Sequence, residues 1–348
     1  MNDRFLRACR LEPVDATPVW FMRQAGRSFA AYRALRERYG ILELAKTPEL
    51  CAEVTLMPVR ELGVDAAVMF ADIMLPLEPM GVGLRIEPEV GPIIERPIRS
   101  PADVDALGEF DPAGISFTLE AIRIVRRELE GQAGVIGFAG APFTMACYLI
   151  EGRPSRDYAQ AKAFMYREPE AWHRLMDRLS AMVSTYLRAQ IDAGAQVVQV
   201  FDSWIGGLGP TDYIEFVQPH VRSIFDELGD TPAIHFGTGT TALLELMAEA
   251  GGNVIGIDHR MALGEAWRRV GPERGVQGNL DAARLLAGWE ATEEGARTVL
   301  AEASGRTGHI FNLGHGVLPA TDPALLRRLV ELVHIETSRL PEAAQARA

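Results

Sequence analysis

Eight short apolar runs, rich in β-branched residues and each closing on a polar or glycine-bearing turn, recur along the chain with amphipathic segments between them. They are PVWFM (18–22), AAVMF (66–70), GVIGFAG (134–140), QVVQVFD (196–202), PAIHFG (232–237), NVIGID (253–258), GVQGN (275–279) and HIFNLGHG (309–316). Nearly continuous apolar strands that alternate with helices belong in a parallel sheet covered on both faces. Eight such units predict an α/β fold, a single-domain (β/α)8 TIM barrel over residues 1–348, with a doubly wound open sheet as the alternative. Thr47-Pro48 and Asp322-Pro323 each place a capping residue before a proline at a helix start. The 348 residues suit one barrel as well as two average domains, and no linker, low-complexity tail or charge block divides them.

Charge and cysteine content narrow the function. A net charge of -12 excludes a general nucleic-acid binder, which needs a basic surface to neutralise phosphates, and leaves an anionic small ligand only through a local arginine cluster. Cys9, Cys51 and Cys147 are odd in number with no C-x-x-C spacing, so neither a disulfide framework nor a cysteine-rich zinc site is expected, and a reducing cytoplasm fits. The first dozen residues mix charges with no apolar core, so no secretion signal is read there. The 18 uncharged residues 133–150 carry Gly134, Gly137, Gly140 and Pro142, and read as strand, turn and helix start, with no membrane span expected.

In a barrel, catalytic groups collect where strands end. After the first run comes MRQAGR, whose Arg23 and Arg27 are four residues apart; on a helix their like charges would repel, and an anionic ligand would relieve this. Asp72 follows the second run, Pro142, Thr144 and Tyr148 the third, Asp202 and Ser203 the fourth, and His235 ends the fifth. Asp258, His259 and Arg260 close the sixth, Asn279 the seventh, Asn312 and His315 the eighth. Charged and hydroxyl groups would thus converge on one mouth.

Each has a plainer alternative. Asp72 interrupts an apolar stretch, where a carboxylate must be paired or hydrogen-bonded, or is a helix cap. His315, between two glycines in NLGHG, is a site residue or a structural turn. His235 is a core histidine or a pocket wall, Ser203 a site or loop hydroxyl without a G-x-S-x-G elbow, and Tyr148 a site, core or interface tyrosine. Arg33 and Arg36 read as a solvated helix face, and the histidines at 173, 220, 259, 309 and 334 as structural or surface. Gly237, Gly239 and Ala242 match G-x-G-x-x-A with Asp258 about 20 residues on, a dinucleotide fingerprint, but four strand-helix units precede it. The same glycines would let a helix N-terminus approach a carboxylate.

Together PVWFMRQAGR, GFAGAPFT, FDSW, GLGP, QGNLD and NLGHG, in this order, resemble the uroporphyrinogen decarboxylase family over residues 4–337. The resemblance implies a single-domain (β/α)8 barrel, a cytoplasmic homodimer, and removal of the four acetate carboxyls of uroporphyrinogen III to give coproporphyrinogen III without metal or organic cofactor. It implies that Arg23, Arg27 and Arg36 bind substrate carboxylates, that Asp72 contacts the pyrrole nitrogens, and that Tyr148, Ser203 and His315 make further polar contacts. Of these, Asp72, Arg23, Tyr148 and His315 are expected to serve catalysis. The chain departs at Ser28-Phe29-Ala30, where the family usually has Tyr-Leu-Pro, at His259 in place of a common Trp, and at Ala282 in place of a common Pro. Related barrels that transfer methyl groups hold zinc through His-x-Cys; here the stretch is His235-Phe236-Gly237, with no cysteine after Cys147.

Overall fold

A computed structural model describes residues 2–87 and 90–339. Its strands are β1 (Ala66–Val68), β2 (Leu84–Glu87), β3 (Gly91–Ile94), β4 (Gly134–Gly140), β5 (Val197–Asp202), β6 (Ala233–Gly237), β7 (Val254–Gly256), β8 (Gly275–Leu280) and β9 (His309–Leu313). Seven are parallel, in the order β1-β4-β5-β6-β7-β8-β9, with helices between successive members. The uncharged runs of β4, β8 and β9 are buried at every position, as strands covered on both faces must be.

The sheet curls. Gln277 on β8 donates from Nε2 to Gln199 Oε1 on β5 at 3.1 Å, although β6 and β7 lie between them. Only a sheet bent into a half-barrel brings those side chains together. Trp20 Nε1 donates to Gln277 Oε1 (2.9 Å), which carries the same polar chain to residues 18–22. Phe138, Phe201 and Phe236, from three adjacent strands, pack edge to face beside it.

Eight strands were expected in the sheet and seven form. Residues 18–22 make one parallel bridge, Val19 with Phe311. Phe311 N–H donates to Pro18 O (2.9 Å), Trp20 N–H to Phe311 O (3.3 Å) and Asp65 N–H to Val19 O (2.8 Å). The ladder stops there because Pro18 has no N–H to give. The N–H groups of Val19 and Met22 instead reach side-chain oxygens, Asp65 Oδ2 (2.7 Å) and Asn312 Oδ1 (3.1 Å). Asp65, 1% exposed, also accepts from Asn2, Arg4 and His334, so one buried carboxylate joins the segment to both ends of the described chain.

Three further expectations resolve. Residues 133–150 divide into β4 and the helix Pro142–Glu151, and among the described residues no helix is long and apolar enough to cross a membrane. All three cysteines are free and buried. Pro48 and Pro323 open helices; Asp322 caps its helix by accepting from Ala324 N–H (2.9 Å), whereas Thr47 makes no side-chain cap. The antiparallel pair β2–β3 was not expected, although LRIE alternates with period two.

Candidate active site

Arg23 follows residues 18–22, Asp72 lies four positions beyond β1, Tyr148 sits in the helix after β4, Ser203 follows β5 and His315 lies two positions beyond β9. All therefore stand at strand C-terminal ends, the side where such folds place their chemistry.

Arg23 is the exposed hub of this rim. Its φ of 57° puts a long side chain in left-handed backbone, which costs about 1–2 kcal/mol and is held where the surroundings impose it. The imposition is visible: Gln24 Oε1 accepts from Phe21 N–H (3.0 Å), Gln24 Nε2 donates to Ala66 O (2.9 Å), and Val317 N–H donates to Met22 O (2.8 Å). The side chain then runs across Gly316, where any Cβ would stand 2.6 Å from Arg23 Cδ. Gly314 has a matching reason, since a Cβ there would collide with the backbone of His259. The two glycines of NLGHG thus clear the way for one strand-end segment on each side of His315.

Asp72 is half-buried and hydrogen-bonded, as a carboxylate in an apolar stretch must be, but it is not a helix cap, since Met74 holds the N-cap position of the helix that follows. Its Oδ1 accepts from Met74 N–H (2.9 Å) ahead of the short helix Leu75–Met80, while Oδ2 receives no hydrogen bond among the described residues. Burial raises its pKa, against the opposing pull of the Met74 N–H and the positive charge of Arg23. Tyr148 is pushed up to about 12 by burial and then by the Asp72 charge, with Arg23 pulling the other way, so its hydroxyl stays protonated. Its ring leans on Trp204, centroids 4.2 Å apart, and Trp204 stacks on Tyr158 at 4.8 Å. That aromatic stack seats half-buried Ser203, whose carbonyl accepts from the Thr238 hydroxyl at 2.6 Å.

His315 is open to solvent, yet its packed surroundings and then Arg23 hold its pKa below the ordinary value, with His259 and Arg260 adding to the effect. Arg23 thus acts on Asp72, Tyr148 and His315 at once. Arg27 and Arg36 form a second group: both positive charges oppose the burial that raises the Tyr32 hydroxyl. Arg36 also donates to Tyr39 O at 2.6 Å, and Tyr32 packs on Phe70 with centroids 5.7 Å apart, which sets this helix beside the approach to Asp72. Arg36, read from spacing as a solvated face, is half-buried; exposed Arg33 ties down the Arg27 carbonyl (2.8 Å).

Other candidates lie elsewhere. His235 is fully buried, its Nδ1 3.2 Å from Met247 O and its Nε2 3.6 Å from Asp202, also fully buried and raised in pKa by that burial. It is a core histidine. At the glycine fingerprint, Gly239 N–H donates to Asp258 Oδ2 (2.5 Å), so the anion at that turn is the chain's own carboxylate. Among the described residues no three His, Cys, Asp or Glu side chains gather as a metal-binding group. Spacing alone did not reveal the Trp204 stack or the glycine clearances; GFAGAPFT and NLGHG were the signals nearest to them.

A family model described as uroporphyrinogen decarboxylase (URO-D) matches residues 1–335. A curated uroporphyrinogen decarboxylase of Sorangium cellulosum is 56% identical over 337 residues, covering 96% of each chain. One of Roseiflexus is 53% identical, covering 96% of this chain and 98% of its own. Among solved structures, a methyltransferase from Methanosarcina mazei superposes with a TM-score of 0.79 at 20% identity, over 95% of this chain and 97% of that one. A putative vitamin-B12-independent methionine synthase from Listeria monocytogenes gives 0.56 at 13%, over 94% and 97%. At such identities the two structures speak for the fold alone.

Proposed function

The chain belongs to the uroporphyrinogen decarboxylase family, and from that premise we propose that its mouth works around Asp72, with Arg23, Arg27 and Arg36 gripping substrate carboxylates and Tyr148, Ser203 and His315 completing the polar contacts. The reaction is decarboxylation of uroporphyrinogen in tetrapyrrole biosynthesis, and the chain is a carboxy-lyase.

Losing carbon dioxide from an acetate leaves an electron pair on a methylene, and the pair needs a sink. Protonation of a pyrrole carbon makes the ring an iminium-like acceptor; the C–C bond breaks, its electrons enter the ring, a proton adds at the methylene to complete the methyl group, and the ring carbon gives up the proton it first took, which restores the neutral pyrrole. Asp72 Oδ2 faces the positive ring. At ~4 Å and an effective dielectric near 20, its charge contributes on the order of 4 kcal/mol, about three decades of rate. Orientation by the arginines supplies further acceleration, since forked guanidinium–carboxylate bonds fix both place and angle. Tyr148, kept protonated, donates without competing for the ring's charge.

What carries this is the placement of Arg23, Asp72, Tyr148, Ser203 and His315 at strand C-terminal ends, with the Arg23 side chain laid across Gly316 next to His315. The test is anaerobic incubation with uroporphyrinogen and chromatographic counting of product carboxyls. Expected are the seven-, six- and five-carboxylate intermediates and then coproporphyrinogen; a porphyrinogen returned unchanged would make the chain a carrier and end the reading. Residues 18–22 serve in this proposal as the eighth stave of one (β/α)8 domain, supported by their bonds to β9 and to Asp65. A cytoplasmic homodimer completes it, free buried thiols fitting a reducing compartment.

A further inference from the structure

Beyond β7 the turn 258–261 is clamped from three directions. Gly239 N–H donates to Asp258 Oδ2 (2.5 Å) from the turn beyond β6. Asn279 Nδ2, on β8, donates to Asp258 O (2.9 Å) and Met261 O (2.7 Å). The His259 backbone lies in the clearance left by Gly314 beyond β9. On this turn Arg260 donates to Asp258 from its backbone N–H (2.9 Å) and from Nη1 (2.5 Å). The Asp258 side chain is 4% exposed and that of Arg260 55%, so the acid is spent inside while about half of the arginine side chain faces solvent. Among the described residues its only ion pair is this one.

The turn has a defined place in the mouth. Arg23 lies on Gly316 and His259 on Gly314, with His315 between, so Arg260 stands on the far side of His315 from the Arg23, Arg27 and Arg36 arm. An octacarboxylate macrocycle presents anions around its whole rim, and one arm of three arginines faces part of that rim only. We infer that Arg260 is a fourth carboxylate-binding arginine, taking a peripheral acetate or propionate of the porphyrinogen on the side opposite Arg23, and that Asp258 is its positioning residue. This rests on the proposed assignment of the mouth. The Asp258 bond to Nη1 leaves Nε and Nη2 for the ligand, and two donors held at a fixed angle suit a carboxylate.

The test compares wild type with Arg260→Gln and Arg260→Lys, using uroporphyrinogen as substrate and coproporphyrinogen as product inhibitor, with Arg27→Gln as the control for the mouth. Arg260→Gln is expected to raise KM about tenfold, the weight of one charged hydrogen bond, with kcat within about twofold and an unchanged melting temperature. Arg260→Lys, which keeps charge without the fork, should fall between. The inhibition constant of coproporphyrinogen identifies the group bound. A matching loss means a propionate, which the product keeps, and a loss confined to uroporphyrinogen means an acetate; either supports the assignment. Unchanged KM in both Arg260 variants while Arg27→Gln weakens binding overturns Arg260 alone. Unchanged KM in all three overturns it together with the mouth.

Discussion

Arg23 lies against Gly316 so tightly that a Cβ at position 316 would stand 2.6 Å from its Cδ and 3.1 Å from its Cβ. The nearer atom belongs to a flexible side chain, the other to its root, so Gly316→Ala must swing the guanidinium away while leaving the strand ends in place. Misplacing a binding group by about 1 Å costs on the order of 100-fold in rate. The expected outcome is kcat/KM lower by about that factor with a melting temperature close to wild type. Full activity in Gly316→Ala would detach Arg23 from the mechanism.

Asp72→Asn tests the carboxylate itself. Turnover should fall by about three decades while porphyrinogen binding stays measurable. Stability should move the other way. The native pKa of Asp72 is raised, so the folded state holds the proton more tightly than the unfolded one, and stability declines as pH rises through the window above the ordinary carboxylate value. At neutral pH the ionised group therefore destabilises the fold, and Asn removes that burden. A variant that melts higher and barely turns over is expected; one keeping more than a tenth of the activity would remove the electrostatic role.

Arg27→Lys keeps the charge and loses the fork. With carboxylate recognition resting on paired N–H bonds, KM should rise about tenfold with kcat little changed. Steady-state kinetics decides it, and unchanged constants would leave Arg27 a solvent-facing cation.

Strand ends were legible because burial on both faces leaves apolar runs, and because proline and glycine mark where they stop. MRQAGR, Asp72 and NLGHG could be singled out by chemistry that an apolar context does not tolerate. The first run was misjudged for a physical reason: its apolar pattern is that of a strand, but Pro18 lacks a donor and Val19 and Met22 bond to the side chains of Asp65 and Asn312. Those acceptors are 46 and 290 residues away. His235 was ambiguous because an apolar strand exposes two faces and the sequence does not say which one meets the mouth. Arg36 was underread because helical spacing is silent about tertiary neighbours such as Tyr32 and Phe70. The pairing of Arg260 with Asp258, although local, gained its meaning only when Gly314 brought His259 against the turn after β9.

Asp65→Ala should destabilise the fold more than any single change in the mouth. The carboxylate is 1% exposed and accepts from Val19 N–H, Asn2, Arg4 and His334 at 2.7 to 3.2 Å. Removing one partner of a buried charged network costs about 3–5 kcal/mol. Denaturant unfolding should show a loss of that order, and a loss below about 1 kcal/mol would mean that Val19 is held by the strand bridge alone.

His309 supplies an internal pH gauge. It is buried at the start of β9, its Nε2 donates to Gly278 O (3.1 Å), and it packs near Trp267 and Phe311. Burial lowers its pKa from 6.5 to about 4, against the pull of the Gly278 carbonyl. Below 6.5 the unfolded chain takes up a proton that the native chain refuses, so this contribution is complete above pH 6.5 and is lost as pH falls toward 4. Across that window it amounts to about 3 kcal/mol, at ~1.4 kcal/mol per pH unit. His309→Gln keeps an N–H for Gly278 and removes the titration. Unfolding free energies of wild type and variant, measured from pH 7 to pH 4, should therefore converge or cross by about that amount as the solution is acidified. A constant difference would mean that His309 protonates as readily folded as unfolded, and that the packing around Trp267 does not exclude the charge.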